Sequence, residues 1–208
     1  MIEISDTIDV ETYLKLRSVP TIDVRSPSEF AKGHISGALN IPLFNDDERA
    51  QVGIAYKNRG RNQAIALGLQ LVGEKGESLI ESLSQFEQGE QVFVHCWRGG
   101  MRSEAFAWLT LRTGLRSRRL IGGYKAFRST AHASFAEHKQ IVILSGYTGV
   151  GKTALLEDLR SAGEQVIDLE ALACHRGSAF GGIGQPDQPT VEQFENELFD
   201  EWSHIDPN

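Results

Sequence analysis

The sequence predicts an α/β fold built in two parts, and three observations predict it. Two apolar runs, 91–95 and 140–145, each lead into a glycine-bearing loop that opens a helix pattern, at 103–111 and 154–160. Between them a stretch rich in Ser, Ala, Thr and His reads as a linker, which divides the chain into 1–130, 131–139 and 140–208. Hydrophobic content of 40% and aromatic content of 8% are those of a globular protein, and 208 residues can bury one large core or two small ones.

Composition excludes several function classes. No apolar run approaches the ~20 residues needed to cross a bilayer, and the Met1 start carries no basic, apolar secretory signal. A cytoplasmic protein is expected. The two cysteines, Cys96 and Cys174, offer neither a disulfide framework nor paired metal-ligand spacing. With a net charge of −7, generic polyanion binding is not expected, although a local basic patch can still bind nucleic acid.

Taken in order, Ser5 or Asp6 can cap a short helix through 10–16, and Pro20 separates it from a strand at 21–24. Asp23 and Arg25 read as a buried structural pair, and His34 as a structural histidine. An insertion at 44–74 carries two helical patterns and the basic string Lys57-Asn58-Arg59-Gly60-Arg61, which is either a solvated face or an RNA contact. The strand through His95-Cys96 then enters the loop Trp97-Arg98-Gly99-Gly100-Met101-Arg102. If that loop wraps Cys96, its amides and the following helix dipole favour thiolate, the nucleophilic form, with Arg98 and Arg102 available to hold an anion. Thr113-Gly114 ends the helix, and Arg116, Arg118 and Arg119 lead into 120–127.

The second part opens on a strand pattern at 140–145 followed by Gly146-Tyr147-Thr148-Gly149-Val150-Gly151-Lys152-Thr153, the full Walker A spacing. Gly146, Gly149 and Gly151 let backbone amides approach linked phosphates, Lys152 places a point charge beside them, and Thr153 can ligate magnesium. No tightly bound cofactor is expected; magnesium would come with a diphosphate ligand. A further strand pattern at 165–169 precedes a glycine-rich loop whose His175, Arg176 and Ser178 are candidates for ligand contact. Cys174-His175 lacks the further ligands of a metal site. Thr190 can cap a helix through 193–198.

Three of these stretches, 23–30, 33–42 and the Cys96 loop, resemble the rhodanese superfamily over roughly residues 5–128. The resemblance implies a central parallel sheet and a chalcogen adduct on Cys96. Arg102 stands six residues after Cys96, one more than in common single-domain rhodaneses, so the loop also matches the cysteine-phosphatase signature and suits a tetrahedral anion. With the Walker A loop, His-Arg-Gly-Ser-Ala-Phe-Gly and Gln-Pro-Thr-Val-Glu-Gln-Phe-Glu-Asn added, the whole chain resembles the tRNA 2-selenouridine synthase family.

That second resemblance implies exchange of sulfur for selenium in wobble 2-thiouridine of tRNA, through a geranylated intermediate, using selenophosphate and geranyl diphosphate. It carries over Cys96 as the selenium-handling cysteine, 97–102 as its anion cradle and 146–153 as the diphosphate loop. Members of that family continue beyond the point where this chain stops, and about 70 residues after the linker fall short of the ~150 of a P-loop domain, so an incomplete P-loop NTPase-like second domain is expected. A rhodanese-type sulfurtransferase, a cysteine phosphatase and an inactive tRNA-binding remnant are the competing readings.

Overall fold

Residues 6–147, 149–178 and 180–206 are described in the computed structural model, and the chain divides into two compact units, 1–129 and 130–208. Ser5, Thr148 and Ala179, which enter the readings above, lie outside the described residues.

Five short strands build the first unit: β1 (Asp6–Ile8), β2 (Thr21–Asp23), β3 (Leu39–Asn40), β4 (Gln91–His95) and β5 (Arg116–Leu120). They pair in the order β1-β5-β4-β2-β3, every pair parallel, which is the predicted central parallel sheet. The register sets Asp23 opposite His95 and Phe93 opposite Arg118. β4 is the middle strand, covered on both faces, so its sequence is an unbroken apolar run rather than an alternation. Val92 and Val94 join Cys96 in a cluster with Ile22, Leu43 and Phe106. Phe93 points to the other side, edge-on to Tyr13 with centroids 5.4 Å apart.

Local signals place the connecting helices. The first, α1 (Val10–Lys15), is capped by Asp9, whose carboxylate accepts from Thr12 N, and not by Asp6, which already belongs to β1. The second, α2 (Pro27–Lys32), opens on a capping box of Ser26 and Glu29 with proline in its first turn. The insertion is a helical hairpin of α3 (Asp46–Arg59), boxed by Asn45 and Glu48, and α4 (Arg61–Glu74), followed by α5 (Gly76–Leu83). Three acids open α3 and Lys57 and Arg59 close it, matching the helix dipole. Beyond β4 come α6 (Met101–Arg112) and, after β5, α7 (Gly123–Ser134).

Among its described residues the second unit is helical, with α8 (Lys152–Ser161), α9 (Leu169–Leu172) and α10 (Val191–Trp202). Its core gathers Ala131, Phe199 and Asn196, all buried, around Phe135, whose ring stands edge-on to Phe199 and Trp202. Trp202 Nε1 donates to Ser134 O at 3.0 Å, and Lys139 Nζ donates to the carbonyls of Trp202 and Ile205, both at 2.7 Å, closing the end of α10. Thr190 caps α10 through Gln193 N, as expected.

The strand patterns at 140–145 and 165–169 do not form strands. A strand satisfies its backbone only by pairing, and no strand is available to either segment among the described residues of this unit. Val142 is 95% exposed in consequence. Asp168 instead caps α9, accepting from Glu170 N and Ala171 N.

Candidate functional site

The sheet places Cys96 at the carboxyl end of its middle strand, where the chain turns sharply into α6. The sulfur is at the floor of the loop and only 4% of the residue is exposed. Sγ lies 3.4 Å from Ser103 Oγ and 4.0 Å from Gly100 O, while the Ser103 hydroxyl donates to Gly100 O at 2.9 Å. A rotation of that hydroxyl would give the sulfur a donor when it carries negative charge.

The loop is held by a second glycine turn. Tyr124 N and Lys125 N, at the start of α7, donate to Cys96 O and Trp97 O, both at 2.9 Å. Gly123 has φ +60°, and a Cβ there would stand 2.3 Å from Cys96 O and 2.5 Å from Gly99 N. Gly99, at φ +65°, would drive a Cβ to 2.5 Å from Leu120 O. The two turns therefore touch through backbone, which only glycine permits.

Behind the loop the Asp23–Arg25 pair is fully buried. Arg25 Nε donates to both Asp23 oxygens at 3.0 and 2.9 Å, Nη2 reaches Gly33 O at 2.7 Å, and the guanidinium lies 3.8 Å above the Tyr124 ring. Burial alone would lift the Asp23 carboxyl, but the hydrogen bonds and charge of the Arg25 guanidinium outweigh it and hold the group below the usual carboxylate range. His95, buried with Nδ1 3.8 Å from Asp23 Oδ1, has its pKa lowered by desolvation, so the ring is neutral at pH 7. His34 stacks on Phe30 with centroids 3.8 Å apart and has Nδ1 3.0 Å from Phe30 O, a structural placement.

The expected anion cradle is only partly arranged toward an anion. Trp97, Arg98, Gly100 and Met101 are exposed along the rim and Gly99 is half-buried. Arg102 is turned to Glu29, with Nη1 2.6 Å from Oε2 and Nη2 3.3 Å from Oε1. Arg49 lies 3.6 Å from the same carboxylate. Burial raises the Glu29 pKa, yet the hydrogen bond and charge of Arg102 prevail and hold it below the usual carboxylate range. Glu29 and Ser103 are thus additions to the residues singled out from sequence. Ser103 adjoins the loop, but Glu29 precedes Arg102 by 73 residues and gives no local signal.

In the second unit, Gly149 and Gly151 hold φ +85° and +88°, and Lys152 opens α8. Its Nζ donates to Gly146 O at 3.0 Å and Tyr147 O at 3.3 Å, and stands 3.9 Å from Glu170 Oε1. Thr153 lines an open cleft of about 880 Å³ together with Arg160, Asp168 and Glu201. The loop beyond α9 is knit to itself: His175 Nδ1 accepts from Gly177 N at 3.1 Å, Arg176 N donates to Gly181 O, and Gly181 N donates to Ser178 O. With the Gln185 carboxamide turned to accept, Arg176 also donates to it at 3.0 and 3.1 Å. His175 N donates to Glu170 O, so Glu170 joins this loop to the lysine of the glycine-rich loop. The structure brings His175, Arg176 and Ser178 into one loop, but the first two side chains are bonded within it.

Known proteins resemble both units. Residues 9–130 match the rhodanese-like domain family, and residues 139–206 match the family described as tRNA 2-selenouridine synthase AAA domain. A tRNA 2-selenouridine synthase of Nitrosomonas europaea is 42% identical over 196 residues, 92% of this chain and 50% of the relative. That of Bdellovibrio bacteriovorus is 46% identical over 189 residues, 88% of this chain and 48% of the relative. The chain spans about half the length of the curated relatives it matches. A crystal structure of the N-terminal domain of a “putative ATP/GTP binding protein” from Clostridium difficile 630 superposes with a TM-score of 0.56 at 35% identity, over 60% of this chain and 98% of that one.

Proposed function

We propose, since this chain belongs to the rhodanese-like domain family and carries the tRNA 2-selenouridine synthase AAA segment, that it acts in exchanging sulfur for selenium in a 2-thiouridine of tRNA. The observation that carries this reading is the buried Cys96 sulfur beside Ser103 at the end of the middle strand, in a chain that also holds a glycine-rich loop opening on Lys152 and α8.

The residues support a division of labour. Lys152, resting on two backbone carbonyls and near Glu170, is a cation that a diphosphate can recruit. Thr153 offers one oxygen to a magnesium ion accompanying that diphosphate, whose Lewis acidity would ease departure of the leaving group. The thiocarbonyl sulfur then attacks the first carbon of geranyl diphosphate, forming a C–S bond as diphosphate leaves. At the Cys96 loop, selenium from selenophosphate attacks the modified base. A C–Se bond forms, the C–S bond to the base breaks, and geranylthiolate departs with the electron pair. The P–Se bond of the resulting selenophosphorylated base then breaks as the Cys96 thiolate takes the phosphoryl group, and water cleaves that S–P bond to release phosphate, leaving 2-selenouridine and the free cysteine. Arg98 on the rim, and Arg102 if released by Glu29, supply positive charge for the selenophosphate anion.

Incubation of 2-thiouridine tRNA with the chain, geranyl diphosphate, magnesium and selenophosphate, followed by nucleoside mass spectrometry, tests this. 2-Selenouridine is expected from the unaltered chain and not from Cys96→Ala. Selenation that survives Cys96→Ala would sink the assignment of the cysteine. Phosphate release from an aryl phosphate without selenation would establish the phosphatase reading instead.

A further inference from the structure

The corner of the inserted hairpin bears charges that neither the core nor the cysteine uses. Residues 56–63, Tyr-Lys-Asn-Arg-Gly-Arg-Asn-Gln, are exposed without a break where α3 ends and α4 begins. Among the described residues, Lys57, Arg59 and Arg61 take part in none of the ion pairs of the first unit. Lys57 and Arg59 complement the end of the α3 dipole, but Arg61 is the first residue of α4, where the dipole disfavours a cation. Arg61 Nη2 lies 3.9 Å from Sδ of Met101, the first residue of α6, so the corner borders the mouth of the Cys96 loop. On that loop Arg98 is exposed, and Trp97 is 36% exposed with its ring braced 5.8 Å from the Tyr124 ring.

We infer that this corner and the Trp97–Arg98 rim together form the landing surface for an unpaired RNA loop. The inference rests on the RNA-modifying reading above and gives it a surface. Lys57, Arg59, Arg61 and Arg98 lie on backbone phosphates, while Trp97 offers its face to an unstacked base entering toward Cys96. Asn58, Asn62 and Gln63 supply amides that read base edges. A guanidinium-rich strip with a braced aromatic and carboxamides suits single-stranded nucleic acid, which offers both anions and π-faces; an acidic peptide offers only the anions. A chain of net charge −7 binds RNA only through such a local strip.

The test is fluorescence anisotropy of a labelled RNA hairpin with an unpaired loop, titrated with the 208-residue chain at several salt concentrations. The triple variant Lys57→Gln, Arg59→Gln, Arg61→Gln should bind about tenfold or more weakly, with a salt dependence shallower by about two phosphate contacts. The control Lys15→Gln, Arg112→Gln, Arg116→Gln removes equal charge at the amino end of the sheet, where β2 and β5 begin, and should bind as the unaltered chain does. Cys96→Ala should bind undiminished, which separates failure of the surface from failure of the chemistry. Circular dichroism should show both triple variants folded. Equal binding by the two triple variants, or displacement of the RNA by polyglutamate at matched charge, would overturn the inference.

Discussion

Glu29 is one carboxylate with three tasks. It closes the α2 capping box through Ser26 N, holds Arg102 at 2.6 Å, and lies beside Arg49. Glu29→Gln keeps an oxygen for Ser26 N and removes the charge. Breaking a buried pair costs about 3–5 kcal/mol, but this one is partly solvated, so a loss of about 1–2 kcal/mol at pH 7 is expected by urea denaturation. Because the folded Glu29 pKa is depressed, the difference from the unaltered chain is complete above the ordinary glutamate range and fades as pH falls through the lower folded value. A difference that stays constant down to strong acid would show that the pair does not set the pKa. Asp23 and Arg25 were legible in the sequence as a structural pair, and Arg102 as an anion-holding residue of the Cys96 loop. Glu29 as the partner of Arg102 was not, since only the fold brings together residues so far apart in the chain.

Two glycine turns, one after β4 and one after β5, act as a single structural element around the cysteine. Their contact explains why 99 and 123 must be glycine, whereas Gly100, at φ −93° with nothing within 4 Å of a Cβ, is free of that constraint. Gly123→Ala adds a left-handed penalty of about 1–2 kcal/mol and an overpacking cost of similar size, for a total of about 3 kcal/mol. Gly100→Ala should cost less than about 1 kcal/mol. Thermal melts of the two variants, with alkylation of Cys96 as a second readout, distinguish them; equal losses would mean that the turns do not bear on one another. The helices of the insertion were readable because α3 carries its own caps and charge order. The strands expected at 140–145 and 165–169 were not formed, because an apolar run encodes a strand only when neighbouring strands accept its backbone bonds.

At the scale of the whole chain, stability is unevenly spread. β4 is bonded on both sides and buried on both faces, whereas 141–147 is exposed and carries no strand. Hydrogen exchange should find the amides of β4 opening only with the first unit as a whole, and those of 141–147 exchanged at the shortest labelling time. Protection of 141–147 comparable to β4 would contradict this arrangement. By itself the sequence determined the α/β class, the two helices of the insertion, the Thr190 cap and the glycine-rich loop, and it singled out Cys96 as the candidate centre, because each is written in contiguous residues through periodicity, capping and backbone freedom. Only the tertiary structure decided the strand order, the turning of Arg102 to Glu29, the glycine contact behind Cys96 and the nearness of Arg61 to Met101. Those are meetings of distant segments, and chain topology and packing, rather than local propensity, determine which distant segments meet.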